Sequence, residues 1–209
     1  LTQVSLFTLA HTITLALAAL GYVVVPGSFV EPLIAASIVY VAVENIFMKN
    51  LSPWRPFVVF GFGLLHGLGF ASVLAEFGLP KSAFVPALIG FNIGVEIGQL
   101  AVIAVMFLCV WQVLRVDRGS NEAFQGKVLY VVLGVAAAAL IWLNPSVIST
   151  AIENPTWLFA APLLAIFLLC FGSIQLRDQV DAYRKIVAVP ASVAIAFVGA
   201  YWFIERVFL

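Results

Sequence analysis

From Ala83 to Leu114 the chain carries a single charged side chain, Glu96. A run that long and that apolar constrains the fold more than any other feature, because a bilayer is crossed by about 20 apolar residues in a helix. Six further runs have the same character: about Val4–Val25, Phe29–Met48, Pro56–Gly78, Val128–Leu143, Trp157–Leu176 and Ile186–Phe208. Pro26-Gly27, Ser52-Pro53, Pro80-Lys81 and Asn144-Pro145 punctuate them with residues that leave helices. In lipid the backbone must bond to itself, so only helices and closed barrels span. Barrel strands alternate polar and apolar residues, and these runs do not. The expected fold is all-α, a polytopic transmembrane helix bundle of about seven spans. The Ala83–Leu114 run exceeds one crossing, so it should tilt, overhang or break near Gly90–Gly94.

Composition agrees. The chain is 64% hydrophobic and 10% charged, against about a quarter charged in soluble domains. Its net charge is zero, which gives no electrostatic case for nucleic acid. The partner that composition does imply is the lipid bilayer. Cys109 and Cys170 lie inside apolar runs and read as packing residues, not a disulfide. No charged region precedes the first apolar run, so no signal peptide is expected there.

Basic residues orient the bundle. Lys49, Arg55, Arg115, Arg118, Lys127, Arg177, Arg184 and Lys185 fall on one side of the drawn spans, and Lys81 and Arg206 on the other. The positive-inside rule then places the N-terminus in the cytoplasm and the C-terminus outside. Polar residues divide the chain into a four-span half over 1–116, a cytoplasmic loop over 117–126 and a three-span apolar scaffold over 127–209.

Ionisable groups at membrane depth are costly and need a reason. His11 lies two turns into the first run beside Thr8 and Thr12. Ser37, Tyr40 and Glu44 share one face of the second, with Asn45 adjacent. His66 stands about 15 Å into the third at ~1.5 Å per residue, in a run where Gly63, Gly67 and Ala71 form a ridge that admits a close neighbour. In the fourth, Asn92, Glu96 and Gln99 form a polar stripe, and Gly90, Gly94 and Gly98 a second small-residue ridge. That ridge should dock against a neighbour, with His66 and Glu96 facing each other. Glu31, Glu76, Glu153 and Glu205 sit near run ends and should be solvated.

Two imidazoles and two carboxylates at His11, Glu44, His66 and Glu96 suit a borderline divalent ion such as Ni²⁺, Zn²⁺, Co²⁺ or Fe²⁺. Thr8, Asn45, Asn92 and Gln99 would support them. The same groups could instead form a proton relay without metal. No HExxH, CxxC, GxSxG or phosphate-binding loop occurs.

The segments Phe7-Thr8-Leu9-Ala10-His11-Thr12, Val43-Glu44-Asn45, Leu65-His66-Gly67-Leu68-Gly69-Phe70-Ala71 and Phe91-Asn92-Ile93-Gly94-Val95-Glu96-Ile97-Gly98-Gln99 resemble the HupE/UreJ family of bacterial membrane proteins, more narrowly its second subfamily. The resemblance spans roughly residues 4–116. It implies a nickel permease or accessory protein of the bacterial inner membrane. Three readings stay open: a metal-ion transporter, a non-catalytic subunit that anchors a larger membrane complex or self-associates as a homo-oligomer, and an intramembrane metalloenzyme. The transporter reading leads, and a transporter or accessory subunit is expected ahead of an enzyme.

Overall fold

The computed structural model describes residues 2–50, 52–77, 84–143, 157–176 and 181–208. Lys81, Ser146, Glu153 and Arg177 therefore lie outside the described residues, as does the side chain of Glu76. The all-α expectation holds. Seven α-helices are described: α1 (Thr2–Ala19), α2 (Gly27–Phe47), α3 (Arg55–Phe77), α4 (Phe84–Asp117), α5 (Ala123–Leu143), α6 (Trp157–Gln175) and α7 (Val189–Phe208). No strand occurs among the described residues. By length and composition, Thr2–Ala19, Gly27–Phe47, Val85–Asp117 and Arg184–Phe208 can each cross a membrane. Arg55–Ala71, Ala123–Ala139 and Ala161–Gln175 are shorter apolar helices.

Two boundaries differ from the expectation and α4 resolves one left open, each for a local reason. α1 stops at Ala19, well before Pro26. Gly21 takes φ +78°, and Gly21 N–H donates to Ala18 O and Tyr22 N–H to Leu17 O. This pair of bonds around a left-handed glycine closes a helix C-terminus. α4 ends the same way at Gly119, where Gly119 and Ser120 N–H donate to Val116 and Arg115 carbonyls. α4 also runs unbroken through Gly90–Gly94. Its 34 residues span about 51 Å at ~1.5 Å each, well beyond the ~30 Å hydrocarbon core. Finally, α7 is preceded by a π-helical turn, Arg184–Ala188, with Val189 N–H donating to Arg184 O. Pro190 offers no N–H and crowds the carbonyl four residues back, which favours the wider register.

The chain forms two compact units, Leu1–Ala104 with Ser192–Leu209, and Val105–Ala191. The first is built on close helix approach. A Cβ on Gly63 would stand 2.5 Å from Phe7 O and 2.8 Å from Ala10 Cβ, and one on Gly67 would strike Thr14 Oγ1 and His11 O. Thus the α3 ridge carries the backbone of α1, as small-residue seams do. Thr14 Oγ1 donates across that seam to Leu64 O at 2.8 Å. Gly69 meets Ile34 and Val30 of α2, and Gly199 of α7 meets Ala35, Ile38 and Val39.

The second unit packs around Tyr130, Phe167, Cys170, Ile174, Val113 and Val187. Both cysteines are free thiols. The Tyr130 hydroxyl accepts from Val113 N–H at 3.1 Å and donates to Cys109 O at 2.9 Å. It sits on one rung of the α4 backbone ladder.

Candidate functional site: two anchored histidines

The polar stripe of α4 faces α1. Asn92 Oδ1 stands 3.3 Å from His11 Nδ1 and 2.8 Å from Thr12 Oγ1. Two turns further along α4, Thr8 Oγ1 donates to Gln99 Oε1 at 3.2 Å. Asn92 and Gln99 are seven residues apart on one helix face, and Thr8, His11 and Thr12 share the facing stripe of α1. Thr8, His11 and Asn92 are buried. The sequence pattern put Asn92 and Gln99 on one stripe and His11 beside Thr8 and Thr12 on another. It did not say that α1, rather than α3, receives the stripe.

Hydrogen bonding favours one tautomer for each imidazole. Asn92 Nδ2 donates to Leu88 O at 2.9 Å, so the amide oxygen is the atom turned toward His11. An oxygen there accepts, so His11 Nδ1 carries the proton and Nε2 the lone pair. His66 Nδ1 lies 2.8 Å from the Phe62 carbonyl one turn back. A carbonyl likewise only accepts, which leaves the His66 lone pair on Nε2. In each ring, therefore, Nδ1 is tied to the scaffold and Nε2 is the nitrogen free to ligate. His11 is 1% exposed, and its Nε2 has no hydrogen-bond partner. Leaving a buried acceptor unmade costs about 1–3 kcal/mol.

Aromatic rings enclose the pair. Phe7 stacks on His11 with centroids 6.2 Å apart and meets His66 edge-on at 5.1 Å. Phe70 and Phe91 contact His11 from other sides at 5.3 and 6.5 Å. The sequence reading missed these rings, although Phe7, Phe70 and Phe91 each flank one of the polar motifs.

The two carboxylates lie apart from this arrangement. Glu44 Oε2 is ion-paired with Arg55 Nη1 at 3.3 Å, with side chains 7% and 13% exposed. Arg55 Nη1 also donates to Asn45 Oδ1 at 3.0 Å. The Glu44–Arg55 contact is off hydrogen-bond geometry, since Glu44 Oε2 and Arg55 Nε have no hydrogen-bond partner. Arg55 was legible only as a cytoplasmic charge, yet it occupies the carboxylate expected to meet a cation. Glu96 is half-buried on the α4 stripe between Asn92 and Gln99, and no ion pair or hydrogen bond joins it to His66. Among the described residues no three His, Cys, Asp or Glu side chains gather as a metal-ligand group. The α4 glycines differ from expectation too. A Cβ on Gly90, Gly94 or Gly98 would meet no described atom within 4 Å. The small-residue ridge that packs is the one on α3.

The chain was compared with known families and proteins. A family model described as HupE / UreJ protein matches residues 1–146, which takes in the whole polar constellation and runs on through α5. No curated protein and no solved structure matches the chain.

Proposed function

The chain belongs to the HupE/UreJ family, and from that premise we propose that it carries a divalent transition-metal ion across or within the membrane, using His11 and His66 as its principal ligands. The observation that carries this reading is the pair of anchored tautomers, above all the buried, unpartnered Nε2 of His11. A packing histidine would satisfy that nitrogen or leave the core. A ligand must keep it free. Imidazole nitrogens suit Ni²⁺, Co²⁺, Zn²⁺ and Fe²⁺ alike, and nickel is nominated by the family resemblance. Glu96, on the stripe that holds Asn92, supplies the nearest uncommitted carboxylate. Thr8, Thr12, Asn92 and Gln99 orient the first imidazole. Glu44 and Asn45, engaged with Arg55, serve the end of the route where α2 meets α3. The protein works in a bacterial inner membrane, with the N-terminus and the Arg55 end on the cytoplasmic side.

The test is metal binding by the full chain in lipid nanodiscs. Co²⁺ serves as the probe because its visible bands report nitrogen ligands. His11→Ala and His66→Ala should each lower affinity at least tenfold, and Glu96→Gln should do so while the fold survives. Wild-type affinity in both histidine variants overturns the reading.

One observation favours a second reading, a non-transporting subunit that organises a membrane complex: the described carboxylates and imidazoles do not converge. On that reading Glu96→Gln is silent, because an amide still hydrogen-bonds, and the wild type binds no Co²⁺.

A further inference from the structure

Among the described residues, His11 Nε2, Glu44 Oε2 and Arg55 Nε are the buried side-chain atoms with no hydrogen-bond partner. The last two belong to one ion pair. Glu44 Oε2 and Arg55 Nη1 stand 3.3 Å apart, on side chains only 7% and 13% exposed. The desolvation of a buried pair is offset only when its remaining donors and acceptors are met as well. Here one of each kind is not. A hydrocarbon tail can meet neither. Water meets both at once, accepting from Arg55 Nε and donating to Glu44 Oε2. A cavity begins beside this pair. Arg55 Nη1 donates to Asn45 Oδ1 at 3.0 Å, and Asn45 lines a cavity of about 300 Å³ between α1, α2, α3 and α7. Its wall also includes Ser37 of α2 and His66 of α3. Both lie about 15 Å in from the ends where α2 meets α3, at ~1.5 Å per residue.

We propose that this cavity is a water-filled vestibule: it opens where the Glu44–Arg55 pair stands, hydrates that pair, and brings water and its solutes to His66. The polar groups of the wall suit a file of waters. At the mouth, the Asn45 amide nitrogen is a donor, since its oxygen is taken by Arg55. At depth the groups are acceptors. Ser37 Oγ spends its hydrogen on Ile34 O at 2.7 Å and keeps its lone pairs. His66 Nδ1 is committed to Phe62 O, which leaves Nε2 to accept. Between mouth and floor the wall carries Val41 and Val59, which offer a passing solute no competing ligand.

The ion pair sets the charge of the mouth. A carboxylate and a guanidinium side by side leave it neutral, so ions of neither sign are concentrated there. Glu44 alone would draw cations in, and Arg55 alone would turn them away. The pair thus gives Arg55 a role besides neutralising a buried acid: it keeps the entrance from becoming a cation trap. As a water path the vestibule stands by itself. As the route of an ion to His66 it deepens the metal-carrying reading and rests on it.

The experiment uses the full chain in nanodiscs, with Cys109→Ala and Cys170→Ala as background, and has two arms. In the first, Val41→Cys, Val59→Cys and Val43→Cys are treated with water-soluble methanethiosulfonate reagents. Val43 is close to Val41 in depth, but it is 39% exposed and lines no part of the cavity, so it reports lipid. Val41→Cys and Val59→Cys should react at least about tenfold faster than Val43→Cys, because the reactive thiolate forms only where water reaches. Equal rates at the three positions overturn the vestibule and make the cavity a lipid-filled cleft. In the second arm, cationic and anionic reagents of equal size are compared at Val41→Cys. With the pair intact their rates should match. Arg55→Gln should favour the cationic reagent and Glu44→Gln the anionic one, each by at least about threefold, and the double variant should restore parity. Rates blind to charge in both single variants overturn the placing of the mouth. Should a single variant fail to fold, the first arm, which leaves the pair intact, decides alone. Neither arm uses a metal, so a failure here is distinct from a failure of Co²⁺ binding.

Discussion

Gly67→Ala is the sharpest probe of how this helix seam is built. A Cβ there would strike Thr14 Oγ1 and the His11 carbonyl oxygen and stand 3.0 Å from Leu15 N. Two of those three atoms belong to the α1 backbone and cannot rotate away, so α1 must lift off α3. Overpacking of this kind costs about 1–3 kcal/mol, and the upper end applies where backbone is struck. Separation also weakens the Thr14–Leu64 bond, worth about 1 kcal/mol. Replacing glycine in a helix returns about 1 kcal/mol. The expected net loss is therefore about 3 kcal/mol. Unfolding of the full chain in mixed micelles, followed by circular dichroism, measures it. Thr14→Ala removes only the side-chain obstacle, so it should rescue Gly67→Ala in part. Gly94→Ala is the internal contrast. Its Cβ meets no described atom, and it should be neutral or stabilising by up to about 1 kcal/mol. A Gly67→Ala protein as stable as wild type, or a Gly94→Ala protein equally damaged, would refute the seam.

Other outcomes follow from single contacts. Arg55→Ala strands the Glu44 carboxylate in a site 7% exposed and should cost about 3–5 kcal/mol, with Glu44→Gln in the same chain recovering most of it; equal melting of the single and double variants would disprove the pairing. Tyr130→Phe removes a hydroxyl bonded both to Val113 N–H and to Cys109 O, a loss of about 1–2 kcal/mol readable in the same unfolding assay. A cysteine at Ser120, in a chain freed of Cys109 and Cys170, should react with an impermeant reagent only from the cytoplasmic face, and labelling from the outside would reverse the orientation.

Much of the architecture was legible because lipid leaves the backbone so few choices. Apolar length located every described helix, and the ends that were misjudged are ones decided by local chemistry. Pro26 looked like the stop of α1, but the left-handed Gly21 ends it earlier. Gly90 and Gly94 left a break in α4 open beside tilt and overhang, and the helix runs through them, since glycine alone does not interrupt a ladder whose amides have no other partner in lipid. The two glycine ridges were indistinguishable by spacing. Only the neighbour decides whether a ridge is used, and periodicity says nothing of the neighbour. Similarly, Ser192–Leu209 joins the same unit as α1–α3 through Gly199 against Ala35 and Ile38, a contact that no charged or motif-bearing residue announces.

The site was legible to the extent that polar groups at depth must find one another. Spacing put Asn92 and Gln99 on one stripe and His11 with Thr8 on another, and both stripes meet. What spacing cannot carry is competition. Glu44 was grouped with the histidines because a deep carboxylate requires a cation, and it has one. That cation is Arg55, ten residues beyond Asn45 and across the α2–α3 turn, where a local tether supplies charge at far less entropic cost than a distant helix could. The histidines had no such rival within reach. Each instead donates Nδ1–H to a neutral oxygen, Asn92 Oδ1 or Phe62 O, and neither acceptor carries the charge that would draw the second nitrogen into protonation. A carboxylate in either position would favour imidazolium and block ligation. The neutral amide and carbonyl thus hold each ring by Nδ1 without supplying the charge that an ion pair would, and in His11 they leave Nε2 without a hydrogen-bond partner.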